Sequence, residues 1–149
     1  MAAQKRRRFT YNFPRPALTV DLVVVTRRGR RKVLLVRRKA TPFAGKWALP
    51  GGFVEKDEPL DIAARRELKE ETGVSVGDFE QLYTFGDPDR DPRDWTVTVV
   101  YLARVDQSKV RPRNGDDAAE VNWFALDDLP DLAFDHAQII ERARALVSG

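Results

Sequence analysis

Residues 52–74 read Gly-Phe-Val-Glu-Lys-Asp-Glu-Pro-Leu-Asp-Ile-Ala-Ala-Arg-Arg-Glu-Leu-Lys-Glu-Glu-Thr-Gly-Val. Glu67, Glu70 and Glu71 stand at i, i+3 and i+4, so on a helix all three carboxylates project from one face. Like charges one turn apart destabilise a bare helix by roughly a few tenths of a kcal/mol. The cluster makes sense where a positive charge meets it. A hard divalent cation that takes oxygen ligands, Mg²⁺ first and Mn²⁺ as the alternative, is the natural occupant. Around the acids the segment reads as a helix in a fixed frame. Asp57 and Glu58 precede Pro59, which suits a first turn, and acids there favour the helix dipole. Leu60, Ala64 and Leu68 form a core-facing stripe, and Asp61 with Arg65 is an i,i+4 pair expected on the solvent side. Gly73 is placed to stop the helix, and Leu49-Pro50-Gly51-Gly52 upstream is a loop whose backbone can approach an ion or phosphate closely.

The remaining elements follow from period and punctuation. Leu18 to Thr26 is a β-branched strand, Arg28-Gly29-Arg30 its turn, and Val33 to Arg37 the returning strand. Pro42 to Gly45 reads as a loop, and Lys46 to Leu49 leads to a strand at Phe53-Val54. Glu80 to Phe85 and Thr96 to Val105 are strands joined by a loop rich in Pro and Asp, Val121 to Phe124 is a short strand, and a last helix runs from about Asp135 to Val147. Sheet with two separated helices is an α+β pattern.

Over its specified positions the segment resembles the Nudix box: Gly52, Glu58, Arg66, Glu67, Leu68, Glu70, Glu71, Gly73 and Val74 all match. The resemblance extends from about Ala17 to Leu146, which divides the chain into a basic N-terminal extension, 1–16, and a Nudix hydrolase domain, 17–149. It implies the Nudix fold, an α/β/α sandwich around a mixed β-sheet. It also implies hydrolysis of a nucleoside diphosphate linked to another moiety. Carried onto these residues, it makes Glu67, Glu70 and Glu71 the metal-ligating carboxylates, with the Gly51 carbonyl as a backbone ligand. Arg66 would orient them and Glu58 would anchor the arginine or the helix end. For the general base the resemblance leaves two places, a box glutamate or an acid of the later loop, Asn114 to Glu120, where Glu120 is preferred as base or accessory ligand with Asp116 and Asp117 behind it.

The whole chain bounds these expectations. Its 149 residues suit one domain, and 42% hydrophobic with 33% charged residues is ordinary globular composition. No run of 18 apolar residues exists, no apolar stretch follows the basic N-terminus, and there is no cysteine, all of which fit a cytoplasmic enzyme that meets no membrane. Residues 1–40 hold 13 Lys or Arg against Asp21 alone, a net of +12 in a chain of +3. Lys5-Arg6-Arg7-Arg8 and Arg27-Arg28-Gly29-Arg30-Arg31-Lys32 read first as a solvated tail and a charged hairpin tip, and second as attraction to anionic substrates or RNA. Nucleic acid is the lesser reading, because no aromatic residues interleave with these cations.

Three stretches resemble the ADP-ribose pyrophosphatase branch: Pro42 to Glu55 after Arg37-Arg38, Gly86 to Arg93, and Gly115 to Ala118 together with Phe134-Asp135-His136. Arg38, Lys46 and Arg93 are the candidates to hold a diphosphate. Phe43, Trp47 and Trp95 are either base-stacking rings or core. Arg90 and Asp91 are expected to pair within their own turn. Asp135 with Gln138 has a capping-box pattern, Phe134 with Ile139 the spacing of a hydrophobic staple, and His136, the lone histidine, reads as a helix-start residue. The leading expectation is a Mg²⁺-dependent hydrolase that converts ADP-ribose or a similar nucleoside diphosphate sugar to a nucleoside monophosphate and a sugar phosphate. Its partner would be a small nucleotide, and the resemblance favours a homodimer. The alternatives are a nucleoside triphosphate or RNA 5′-end pyrophosphohydrolase, and a non-catalytic ADP-ribose sensor.

Overall fold

Strand β1 (Ala17–Thr26) has apolar residues on both of its faces, and that requires a covering layer on each side. Val20, Leu22 and Val24 point one way and meet Ala63, Ala64 and Leu68 of helix α1 (Leu60–Thr72). Val23 and Val25 point the other way and meet Ile139, Ile140, Ala143 and Val147 of helix α2 (His136–Val147). All of these side chains are buried. A computed structural model, which describes residues 8–115 and 118–147, thus shows the expected α/β/α layering.

The sheet has seven strands. After β1 come β2 (Lys32–Arg38), β3 (Trp47–Ala48), β4 (Gly51–Phe53), β5 (Glu80–Phe85), β6 (Thr96–Val105) and β7 (Ala118–Ala125). β1 runs parallel to β6 along its whole length, from Ala17↔Thr96 to Thr26↔Val105, and the other pairings are antiparallel. The last strand is longer than Val121–Phe124 because it pairs with β2 from Lys32↔Ala125 to Arg38↔Ala118, a partner that periodicity alone does not reveal. The strand of the glycine loop spans Gly51–Phe53, beginning two residues before the apolar pair Phe53-Val54, because Gly51 and Gly52 pair with Asp21 and Val20.

Helix α1 begins one residue after Pro59, which sits in extended conformation ahead of it, and ends at a left-handed Gly73. Asp61 and Arg65 do not pair. Arg65 instead donates to the Val76 and Gly77 carbonyls and lies over the Phe79 ring, which ties the outgoing loop to the helix. The helix C-terminus is closed by the later loop: Gly115 N–H donates to Glu71 O and Arg113 N–H to Thr72 O. A Cβ at Gly115 would collide with the Glu70 carbonyl and lie 2.7 Å from Glu71 Cα. Gly115→Ala is therefore expected to push this loop off the helix and destabilise the protein by roughly 1–3 kcal/mol, the range for overpacking. Denaturant unfolding measures it, and an unchanged midpoint would contradict the contact.

Candidate active site

Packing Leu60, Ala63, Ala64 and Leu68 under the sheet turns Arg66, Glu67, Glu70 and Glu71 toward β4. Arg66 is the hub. Its Nε and Nη2 grip Glu58 at 2.6 and 3.0 Å, Nη1 reaches Glu67 at 2.9 Å and Glu70 at 3.3 Å, and Nη2 also donates to the Phe53 carbonyl at 3.0 Å. Hydrogen bonding to Arg66 holds the Glu58 carboxyl below its ordinary value. Gly52 is glycine for a steric reason, since a Cβ there would come within 2.5 Å of the Glu67 carboxylate carbon.

Glu71 lies deepest. Its Oε1 accepts from Gly51 N–H at 3.1 Å. Burial and the neighbouring Glu67 charge push the Glu71 carboxyl well above the ordinary range, and burial also raises Glu67. Adjacent carboxylates raise one another's pKa unless a cation stands between them. Among the described residues no three acids converge as a preformed metal cage. The donor set itself, carboxylates beside a glycine backbone, fits a hard divalent cation.

Beneath this cluster runs a second buried polar chain. Asp21 on β1 accepts from the Thr98 hydroxyl at 2.6 Å, and burial raises its pKa to about 7. His136 Nδ1 accepts from Leu49 N–H at 2.9 Å, and burial lowers its pKa to about 3. With one group tending to protonate and the other held neutral, the 3.8 Å approach of His136 Nε2 to Asp21 is not an ion pair. His136 is thus the helix-start residue expected, and it also fixes the strand entering the glycine loop. A depressed histidine contributes stability above its unfolded value of 6.5 that is lost as pH falls toward 3. The Tm difference between wild type and His136→Asn, which keeps an acceptor for Leu49 but cannot charge, is expected to narrow across that window. A difference that stays flat with pH would contradict this.

An open pocket of about 1440 Å³ joins the parts. It is lined by Gly51, Glu67, Glu70, Glu71 and Arg66, and also by Arg38 and Arg93, so the structure brings these seven expected residues together. It does not bring in Glu120, which stands on β7 opposite Arg37, its side chain half exposed and 4.0 Å from that guanidinium. Strand pairing with β2, rather than the loop, decides where Glu120 points. Lys46 is likewise outside the walls and exposed. Asp116 and Asp117 lie outside the described residues, as do Lys5, Arg6 and Arg7.

Two of the three aromatic candidates pack within the fold. Phe43 packs edge-on against Phe134, Trp47 against Phe124, and Trp95 is 42% exposed outside the pocket. Phe9, Tyr11 and Arg15 line the rim instead. Arg90 and Asp91 do not pair in their own turn: Arg90 crosses to Asp135, and Asp91 takes Arg93. Asp135 therefore does not cap α2 with its side chain, and Phe134 packs with Phe43 rather than stapling to Ile139. Sequence reading passed over Asp21. Its signal was a lone charge inside an otherwise apolar strand.

Residues 15–143 match the family model described as NUDIX domain. An ADP-ribose pyrophosphatase of Methanocaldococcus jannaschii is 43% identical over 126 residues, 85% of this chain and 72% of the relative. An ADPR responsive transcriptional repressor, NtrR, of Acinetobacter baylyi is 37% identical over 90% of this chain, which spans only 55% of that relative. Among solved structures, the NUDIX domain of Shewanella oneidensis NrtR complexed with ADP ribose superposes with a TM-score of 0.83 at 41% identity, covering 91% of each chain.

Proposed function

Because the chain belongs to the Nudix hydrolase family, we propose that it cleaves the diphosphate of ADP-ribose or a closely related nucleoside diphosphate sugar, releasing a nucleoside monophosphate and a sugar phosphate. The observation that carries this reading is the pairing, in one pocket, of the Arg66-held glutamates with two guanidinium groups, Arg38 and Arg93. A diphosphate bears adjacent negative charges, and arginine meets such oxygens in a planar, bidentate manner. The similarity to an ADP-ribose pyrophosphatase and to an ADP-ribose complex supports that choice of substrate.

Glu67, Glu70, Glu71 and the Gly51 carbonyl would hold Mg²⁺, or Mn²⁺ in its place. A bound divalent cation supplies charge neutralisation on the phosphate and a lower pKa for attached water. The chain's own residues do the rest. Arg66 keeps Glu67 and Glu70 at fixed angles, and Gly51 N–H keeps Glu71 from rotating away. Arg38 and Arg93 orient the diphosphate, which is where much of phosphoryl catalysis lies. The proton acceptor belongs among the acids that line the pocket. We assign it to Glu70, the most open of the three box glutamates, in place of Glu120. The protein is expected to act in the cytoplasm, with residues 1–16 as a basic extension. A homodimer would give Phe9, Tyr11 and Phe13, each at least half exposed, a surface to cover.

The test is a substrate panel with Mg²⁺: ADP-ribose, other nucleoside diphosphate sugars, nucleoside triphosphates and 5′-triphosphate RNA, with products separated by chromatography. AMP and ribose 5-phosphate from ADP-ribose at the highest kcat/KM is the expected result. Pyrophosphate from triphosphates would move the chain to another branch. Similarity to an ADP-ribose-responsive repressor favours one second reading, a sensor, and tight ADP-ribose binding without turnover would establish it.

A further inference from the structure

The pocket wall opposite the glutamates carries an arrangement that the proposed reaction does not by itself require. Arg38 and Arg93, 55 positions apart in the chain, lie over the same ring: their guanidinium carbons are 4.8 and 5.2 Å from the centroid of Phe134. Both line the pocket. Two like charges brought onto one aromatic ring attract the ring but repel each other. Burial, with the Arg93 charge second to it, lowers the pKa of Arg38, although it remains protonated. Such a pair is held at a cost that an anion bridging both would offset.

Each member is pinned along one edge. Arg38 Nε donates to the Pro42 carbonyl at 2.8 Å. Arg93 rests on Asp91, which accepts from its Nε at 3.1 Å, its Nη2 at 2.8 Å and its backbone N–H at 2.9 Å. Burial would raise the Asp91 carboxyl, but these bonds outweigh it and hold the group below its ordinary value. Phe134 is set by its own backbone in the left-handed region, φ 53°, which a phenylalanine adopts only when its surroundings impose it.

The next residue, Asp135, is one half of a buried ion pair. Arg90 donates to both oxygens of Asp135 at 2.9 and 2.7 Å, and the two side chains are only 4% and 12% exposed. Arg90 is next to Asp91 and Asp135 is next to Phe134. One bidentate contact therefore ties the β5–β6 loop, which carries Arg93, to the residue that precedes α2. Buried inside the wall, Arg90 spends its fork on Asp135 rather than on a ligand.

We propose that the buried Arg90–Asp135 pair is a positioning clamp for the anion subsite, setting the placement of Arg93 relative to Arg38 across the Phe134 ring so that both meet one diphosphate. Arg90 and Asp135 act through Arg93 and Phe134 and need not touch the substrate. The inference rests on the assignment of Arg38 and Arg93 to the diphosphate.

Inorganic pyrophosphate, titrated by calorimetry in EDTA, probes the subsite without reference to nucleoside, sugar or metal. Asp135→Asn keeps a neutral hydrogen-bonding side chain but loses the charged fork, and is expected to weaken pyrophosphate binding about tenfold. Arg93→Gln should weaken it at least as much. The deciding comparison is the double variant: if the clamp works through Arg93, adding Asp135→Asn to Arg93→Gln costs nothing further. With ADP-ribose, the Asp135→Asn variant should raise KM far more than it lowers kcat. Losses that multiply in the double variant, or unchanged affinity in folded Asp135→Asn, would overturn the clamp. If Asp135→Asn does not fold, Arg90→Lys, which keeps the charge but cannot fork, takes its place in the same cycle with the same two readings. Wild-type protein that fails to bind pyrophosphate would overturn the diphosphate assignment, and the clamp with it. Normal wild-type binding with an insensitive Asp135 would overturn the clamp alone.

Discussion

Replacing Glu71 by Gln should lower kcat by about 10³-fold or more while making the metal-free protein more stable, two effects in opposite directions from one atom. The amide keeps an oxygen for Gly51 N–H, so that hydrogen bond survives. What disappears is a buried ionisable group beside another. A carboxyl whose folded pKa is raised contributes stability below its unfolded value near 4.5 that is lost as pH rises through the folded one. Glutamine does not titrate, so the Tm advantage of the variant in EDTA should grow as pH rises above that value. Excess Mg²⁺ should reverse the order, because the wild type gains a cation that the variant holds poorly. Thermal unfolding with and without Mg²⁺, beside steady-state kinetics, checks both halves. A folded variant with wild-type turnover would remove Glu71 from the site.

Arg66→Ala is expected to damage stability as well as rate. One guanidinium here satisfies Glu58, Glu67, Glu70 and the Phe53 carbonyl. Removing it leaves partly buried carboxylates to repel one another, with a cost of about 3 kcal/mol, the low end for breaking a buried ion pair because the arginine retains some exposure. Arg66→Lys keeps the charge but loses the planar fork on Glu58, so it should recover much of the stability. It should recover little of the rate, since a point charge cannot hold Glu67 and Glu70 at fixed angles. Denaturant unfolding separates the two variants, and kinetics at saturating Mg²⁺ tests the second claim. An alanine variant with the stability of the wild type would show that the acids are protonated in the folded state and that Arg66 is incidental to them.

Much of the fold was readable along the chain because its signals are local. The β-branched run of β1, the four-residue stripe Leu60-Ala64-Leu68 and the Gly73 stop each announce an element through steric preference over a few neighbours. The same is true of the box carboxylates, since helical spacing alone puts Glu67, Glu70 and Glu71 on one face. Readings that required a choice of partner fared differently. Arg65, Arg90, Asp91 and Asp135 all had plausible neighbours in sequence, and each of them bonds elsewhere in the fold or, for Asp91, to the next residue but one, Arg93. Long charged side chains reach whatever the tertiary fold brings near, and no period in the sequence encodes that.

Residue spacing along the chain already specifies a helix with three glutamates on one face, a glycine loop beside it, and membership of the Nudix family, because helix geometry and a spaced motif are properties of adjacent residues. The assembled fold sets Glu120 4.0 Å from Arg37 and outside the pocket lining, buries Asp21 and His136 beneath it, and brings Arg38 and Arg93 together over Phe134. Those outcomes follow from strand register and from desolvation, which depend on what the rest of the fold stacks against each residue.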